Sequence, residues 1–257
     1  MKLSEDQIAE YNERGYLLFP SLFSSEEVTV MLRAVPELMS RTGPEVITEE
    51  EDEGAVRMVF GAHVYNETFR RLSRHSRVLL PTERLLESHV HAFQTRLTPK
   101  KGFAGNGWSW HQDFNQWNRH DGMKHPRGLL VGVFLDDVNV SNAPIMVIPG
   151  SHKRGHIPIP DIMDIDHPTI EELANQGGIE ALMGPAGSVA FINCLTVHGS
   201  TPNISPWSRR IFYINYNSVE NQEVEQRRAW FYCSIDFTPL EPLDDNCLIE
   251  LDGGENA

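Results

Sequence analysis

Midway along this chain the spacing of apolar residues changes, and that change limits the folds open to it. Through Glu87 the apolar positions recur at three- and four-residue intervals. From Ser88 onward they form short runs, apolar or alternating, bounded by Gly, Pro, Asn and Asp: SHVHAFQTRL, GLLVGVFLDDV, APIMVIPG, GSVAFINCL and RRIFYINYNSV. Helices first and short strands later predict an antiparallel β core with an α-helical flank. Ser4-x-x-Gln7 is a capping box whose helix should stop at Gly15, and YLLF (Tyr16 to Phe19) reads as a short strand. Ser24-x-x-Glu27 opens a second helix running towards Gly43, with a disturbance near Pro36. Helical spacing returns around Glu67 to His75 and Val78 to Glu87, and again between the strands around Pro168 to Asn175. The acid run in PEVITEEEDEG, Glu49 to Glu53, reads as a solvated loop. No repeat or low-complexity linker divides the chain, so residues 1–257 are read as one domain.

Charge removes whole classes of partner. A formal net charge of −14 repels phosphates and no basic stripe offsets it, so neither nucleic acid nor a nucleotide-bearing carrier is expected. No apolar run approaches the roughly 18 residues that span a bilayer, and MKLSEDQIAEYNERG lacks the apolar stretch of a signal peptide. Cys194, Cys233 and Cys247 are odd in number and widely spaced, which suits a reducing cytoplasm. The expected partner is a small-molecule substrate, in a cytoplasmic monomer or homodimer away from membranes.

Chemistry concentrates in GWSWHQDFNQW, Gly107 to Trp117. On a strand, His111 and Asp113 would project to one face about 7 Å apart. That is a metal site in the making, or a structural pair in an aromatic cluster. A non-haem iron(II) site needs a second histidine. His198 supplies it, at the end of the apolar run Ser188 to Leu195 and before the turn-rich segment Gly199 to Ser208. The run from Arg209 to Val219 would return beside that strand and bring Arg209 into the cavity. Its planar fork suits a dicarboxylate co-substrate, and Arg210 would face the other way.

These residues resemble a known family. WHQDFNQWNRHDGM (Trp110 to Met123) is similar to the W-H-x-D-F-x-x-W-x-x-x-D-G-M of the ectoine hydroxylase branch of the phytanoyl-CoA dioxygenase family. NAPIMVIPGSHKRGH resembles that family's N-G-P-x-x-x-x-P-G-S-H turn, and the His198 and Arg209 spacing fits as well. Ala143 stands where the family has glycine, which is unfavourable if the position needs positive φ.

The resemblance implies a double-stranded β-helix, the cupin-like jelly roll, in an α+β chain that is mainly β with N-terminal helices. It implies iron(II) on His111, Asp113 and His198, with 2-oxoglutarate and O2 as co-substrates. Arg209 would hold the distal carboxylate of 2-oxoglutarate, with Ser200, otherwise a turn serine, and Gln94, otherwise a core amide, beside it. Trp117 matches a tryptophan of the substrate pocket, with core packing as its rival. Related halogenases replace the carboxylate with a small residue, so Asp113 implies hydroxylation. The activity expected is hydroxylation of an aliphatic carbon in a small free amino acid, leucine-like because the pocket segment offers Trp110, Phe114 and Trp117 rather than extra charges. The alternatives are ectoine, an acyl-CoA or a natural-product intermediate (hydroxylated or desaturated), and a non-catalytic small-molecule binding protein. Arg210 or Arg57 would serve the substrate carboxylate and Asp136 its ammonium. His89 and His91 are read as structural, His152 as a turn residue, and His120 and His125 as loop residues.

Overall fold

The computed structural model describes residues 1–49, 54–159 and 164–254. The chain runs α1 (Glu5–Arg14), β1 (Tyr16–Phe19), α2 (Ser25–Met39), β2 (Val46–Thr48), β3 (Val56–Phe60), α3 (Ala62–Tyr65), α4 (Glu67–Leu72), α5 (Ser76–Leu86) and β4 (Val90–Lys100). It continues through β5 (Trp108–His111), α6 (Asp113–Asp121), β6 (Gly128–Phe134), β7 (Ile145–Val147), α7 (His167–Gly177), β8 (Glu180–Leu182), β9 (Val189–Asn193), β10 (His198–Ser200), β11 (Arg209–Ser218) and α8 (Cys247–Gly254).

Both expected capping boxes form: Ser4 with Gln7 and Ser24 with Glu27 satisfy each other's backbone N–H groups. Gly15 ends α1 at φ 82, a left-handed position that glycine adopts without strain. Pro36 does not break α2, which continues to Met39 because buried Val35 and Leu38 hold the last turn against the core. The expected loop after Gly43 is instead a hairpin, β2 against β3. Glu49 is buried there and ion-paired with Arg57 at 2.7 Å, so the solvated reading fails for it. Residues 50–53 of that run lie outside the described residues. His120 sits on α6 rather than in a loop.

Two antiparallel sheets stack, one ordered β1-β9-β6-β11-β4-β3-β2 and the other β5-β10-β7-β8. This is the expected jelly roll. Strand alternation divides the core in two. Leu129, Val131 and Val133 of β6 face outward, into a cluster with Phe69, Leu72, Val78 and Met31 from the helices. Leu130 and Phe134 face inward, against Ile145, Val147 and Leu182 of the small sheet. No helix among the described residues is long and apolar enough to cross a membrane.

Two buried histidines make the fold acid-sensitive. Burial first, and then Arg77, pushes His75 down to about 4. Burial does the same to His91, which accepts from Asn217 at 3.0 Å. Both rings are neutral in the folded chain, while the unfolded chain protonates them below its ordinary value near 6.5. Between pH 6.5 and 4 the unfolded state therefore holds more protons, so stability falls as pH falls. At pH 5 the loss is about 2 kcal/mol per ring. Urea unfolding of the metal-free protein should show a drop of several kcal/mol from pH 7.5 to 5, partly removed in His91→Gln. A pH-independent midpoint would mean that the rings titrate normally.

Candidate metal centre and anion site

The site lies between the sheets. β5 delivers His111 and β10 delivers His198, and the two are direct partners across the small sheet. Asp113 is not on the strand: β5 ends at His111, and Asp113 is the first residue of α6. A strand-to-helix turn, not strand alternation, brings the carboxylate round. His111 Nε2 and His198 Nε2 stand 3.7 and 3.9 Å from Asp113 Oδ1, and the three ligand atoms all lie within 4.8 Å of one another.

The surroundings prepare these atoms for a cation. Each imidazole donates its Nδ1–H to a carbonyl, His111 to Ser109 at 2.7 Å and His198 to Thr196 at 2.9 Å. Both Nε2 lone pairs are thereby turned inward. Burial first, then His111, pushes His198 down to about 4, so its ring is neutral and ready to ligate at ordinary pH. Burial alone would raise Asp113, but His111, His198 and Arg96 beside it hold it well below the usual carboxylate range. Asp113 Oδ2 is buried without a hydrogen-bond partner. Two imidazoles and one carboxylate on one face are the donor set of a non-haem iron(II) site with open positions.

A cavity of about 250 Å³ opens onto the triad. Gln94, Arg96 and Thr98 line it from β4, Tyr213 from β11 and Ser200 from β10, with Met58, Phe60, Trp108, Leu130 and Ile145 as apolar wall. β4 and β11 run in register, pairing Gln94 with Asn215, Arg96 with Tyr213, Thr98 with Ile211 and Lys100 with Arg209. The last pair places two buried basic groups opposite each other, and charge on both is unfavourable unless an anion joins them. Among the described residues no carboxylate lies within 4.0 Å of either. Burial, then Arg209, pushes Lys100 down to about 6.

Lys100 Nζ donates to Ser200 Oγ at 2.7 Å and to the carbonyls of Asn106 and Thr201. Arg209 donates to the Ala143 carbonyl, at 3.0 Å from Nε and also from Nη2, while its Nη1 is buried without a partner. Ala143 has φ 66, so alanine occupies the left-handed conformation that would favour glycine. Ser200 is two residues beyond His198 on one strand, about 7 Å along it. A dicarboxylate reaching from the metal to Ser200, Lys100 and Arg209 would give Arg209 Nη1 the acceptor it lacks.

The other expected site residues divide. Gln94 lines the cavity, but its Oε1 already accepts from Arg96 at 2.7 Å and Asn215 at 3.1 Å, and its amide donates to the Tyr232 carbonyl. Trp117 lies behind the cavity, fully buried with Phe93, Phe114 and Met123, so the geometry supports its core role. Trp110 packs with Ile148 and Ile165. β11 pairs with β4 and β6, so Arg209 enters from the sheet opposite His198, not beside the strand that delivers it. Arg210 and Asp136 bind each other at 2.5 Å, and neither lines the cavity. Arg57 is taken by Glu49 and stacks over the Trp108 ring. His91 bonds Asn217 and His89 bonds Glu83, as structural residues would. Arg96, Lys100, Thr98 and Gln116 were missed. For the first three the signal was present, a polar residue at every second position of QTRLTPK.

Known proteins resemble this chain. The phytanoyl-CoA dioxygenase family pattern matches residues 11–211. The chain is 39% identical to the ectoine dioxygenase of Bordetella bronchiseptica over 285 residues, covering 96% of this chain and 88% of that protein. It is 31% identical to the L-proline trans-4-hydroxylase of Streptomyces griseoviridis, covering 93% of this chain and 96% of that protein. Among solved structures, EctD from S. alaskensis with 2-oxoglutarate and 5-hydroxyectoine is similar at a TM-score of 0.88 and 31% identity. That likeness covers 94% of this chain and 88% of EctD.

Proposed function

The chain belongs to the phytanoyl-CoA dioxygenase family, and from that premise we propose that it hydroxylates an aliphatic carbon of a compact, cyclic, amino-acid-like zwitterion, of the ectoine or proline type. It is an iron(II)/2-oxoglutarate-dependent dioxygenase. The observation that carries the reading is a cavity lined by the His111, Asp113 and His198 cluster and by Ser200, with Lys100 bonded to that Ser200 hydroxyl and Arg209 directly opposite Lys100 on β11. Iron and 2-oxoglutarate, when bound, supply the activation of dioxygen for attack on an unactivated C–H bond. His111, Asp113 and His198 would hold the metal. Arg209, Lys100 and the Ser200 hydroxyl would hold the distal carboxylate, and the apolar wall keeps water from the reacting carbon.

Substrate class follows from what the cavity offers. Arg96, whose nearest carboxylate oxygen is Asp113 Oδ1 at 4.0 Å, is the cation available to a substrate carboxylate. The leucine-like expectation rested on Trp110, Phe114 and Trp117, none of which lines the cavity. Its place is taken by the compounds that the relatives' names carry, ectoine and L-proline. A cavity of about 250 Å³ suits a molecule of that size. The test is a panel of ectoine, L-proline, L-leucine and an acyl-CoA with iron(II), 2-oxoglutarate and O2, with product mass and succinate measured together. Ectoine or L-proline should give a +16 product matched by succinate, ahead of L-leucine. Turnover confined to the acyl-CoA would overturn the reading.

A further inference from the structure

Gln116 stands three residues beyond Asp113 on α6, so the two side chains share a helix face with Cβ atoms about 5–6 Å apart. Its neighbours on the helix are occupied elsewhere. Phe114 and Trp117 are core, Asn115 bonds His156, Asn118 bonds the Met123 carbonyl, and Asp121 is ion-paired with Arg228. Gln116 is half-buried, lines the cavity, and makes no hydrogen bond to the described residues.

The cavity's other polar groups are largely committed. Gln94 has both of its oxygen's acceptor positions filled, Ser200 takes Lys100, and Asp113, the one carboxylate among the lining residues, belongs to the metal centre. Thr98 pairs in register with Ile211, between Arg96 and the Lys100 end. A zwitterion whose carboxylate lies on Arg96 therefore meets no carboxylate for its nitrogen. Two acceptors remain: Thr98 Oγ1, buried without a partner but set towards the Lys100 end, and the Gln116 amide oxygen, on the helix face it shares with Asp113.

We propose that Gln116 determines substrate specificity: its Oε1 accepts a hydrogen bond from the substrate's cationic N–H while Arg96 holds the carboxylate, and the two contacts fix which C–H faces the metal. This rests on the zwitterion reading above. Two fixed points define an orientation that one contact alone leaves free to rotate, so loss of Gln116 should loosen both affinity and aim.

The test uses Gln116→Met, which keeps length and apolar contact but removes both hydrogen-bonding groups, with Gln116→Ala as a second variant. Each protein, loaded anaerobically with iron(II) and 2-oxoglutarate, is titrated with ectoine and separately with L-proline while the visible charge-transfer band is followed. Losing a hydrogen bond to a charged group should raise the Kd of the responding zwitterion roughly 10- to 100-fold. The 2-oxoglutarate Kd should stay within about twofold, and in air succinate should exceed hydroxylated product. Gln116→Glu keeps the acceptor and should restore binding. Zwitterion binding within twofold of the parent in both apolar variants, or an equal loss for 2-oxoglutarate, would overturn the role of Gln116 alone. No response of the parent to either compound would instead refute the substrate class, and this inference with it.

Discussion

Replacing His198 by alanine should yield a folded protein that no longer retains iron(II) and turns over roughly a thousandfold or more below the parent. His198 provides one of three ligand atoms, and Asp113 and His111 alone leave a two-donor site on a cation that needs at least three fixed protein ligands to stay put. The fold should survive. The ring's backbone partners, His111 and Val147, remain paired through main-chain atoms, and removal of a buried, hard-to-protonate imidazole takes away a group that burial already disfavours in its charged form. His89→Ala is the control. That ring is exposed, bonds Glu83, and its loss should leave iron stoichiometry at one per chain. Anaerobic iron(II) titration with metal analysis after desalting reads both variants. Parent-like retention by His198→Ala would remove the metal centre from this site.

The ligand identities were legible because chemistry is written in residue type and spacing; their geometry was not. His-x-Asp reads equally well as strand alternation or as a strand breaking into a helix, and only the continuation decides. Phe114 and Trp117 are spaced as one face of a helix, which fits their burial with Met123 and puts Trp117 behind the cavity. Arg209 was legible from the return of the chain after the turn-rich segment and from the family spacing, but its strand's neighbour was not, since strand order is a long-range property and β6 inserts between β9 and β11.

Lys100 and Arg96 show the same limit. Each sits on a strand whose alternation is visible in sequence, yet their meaning comes from Arg209 and Tyr213, directly opposite on β11 and more than a hundred residues away. Glu49 looked solvated inside an acid run. It is buried because the chain returns Arg57 to it across the β2–β3 hairpin.

Arg209→Ala should raise the 2-oxoglutarate KM by roughly 30-fold or more, because a charge-assisted pair in a dry cavity is worth on the order of 2–4 kcal/mol and each 1.4 kcal/mol is tenfold. The guanidinium is fully buried, its Nε and Nη2 are held by the Ala143 carbonyl, and Nη1 has no partner, so the fork is fixed before any anion arrives. Fixing it in advance lowers the cost of ordering on binding. Lys100 remains in the variant and limits the loss, since its Nζ still anchors Ser200. Arg209→Lys should fall between parent and alanine, keeping charge but losing the planar two-pronged contact. Arg210→Ala should change the same KM less than threefold, because that side chain pairs with Asp136 away from the cavity. Steady-state assays varying 2-oxoglutarate, alongside anaerobic binding followed by the charge-transfer band, separate affinity from rate. If Arg210→Ala proved the more damaging of the two, the distal carboxylate would have to sit on the opposite face of β11.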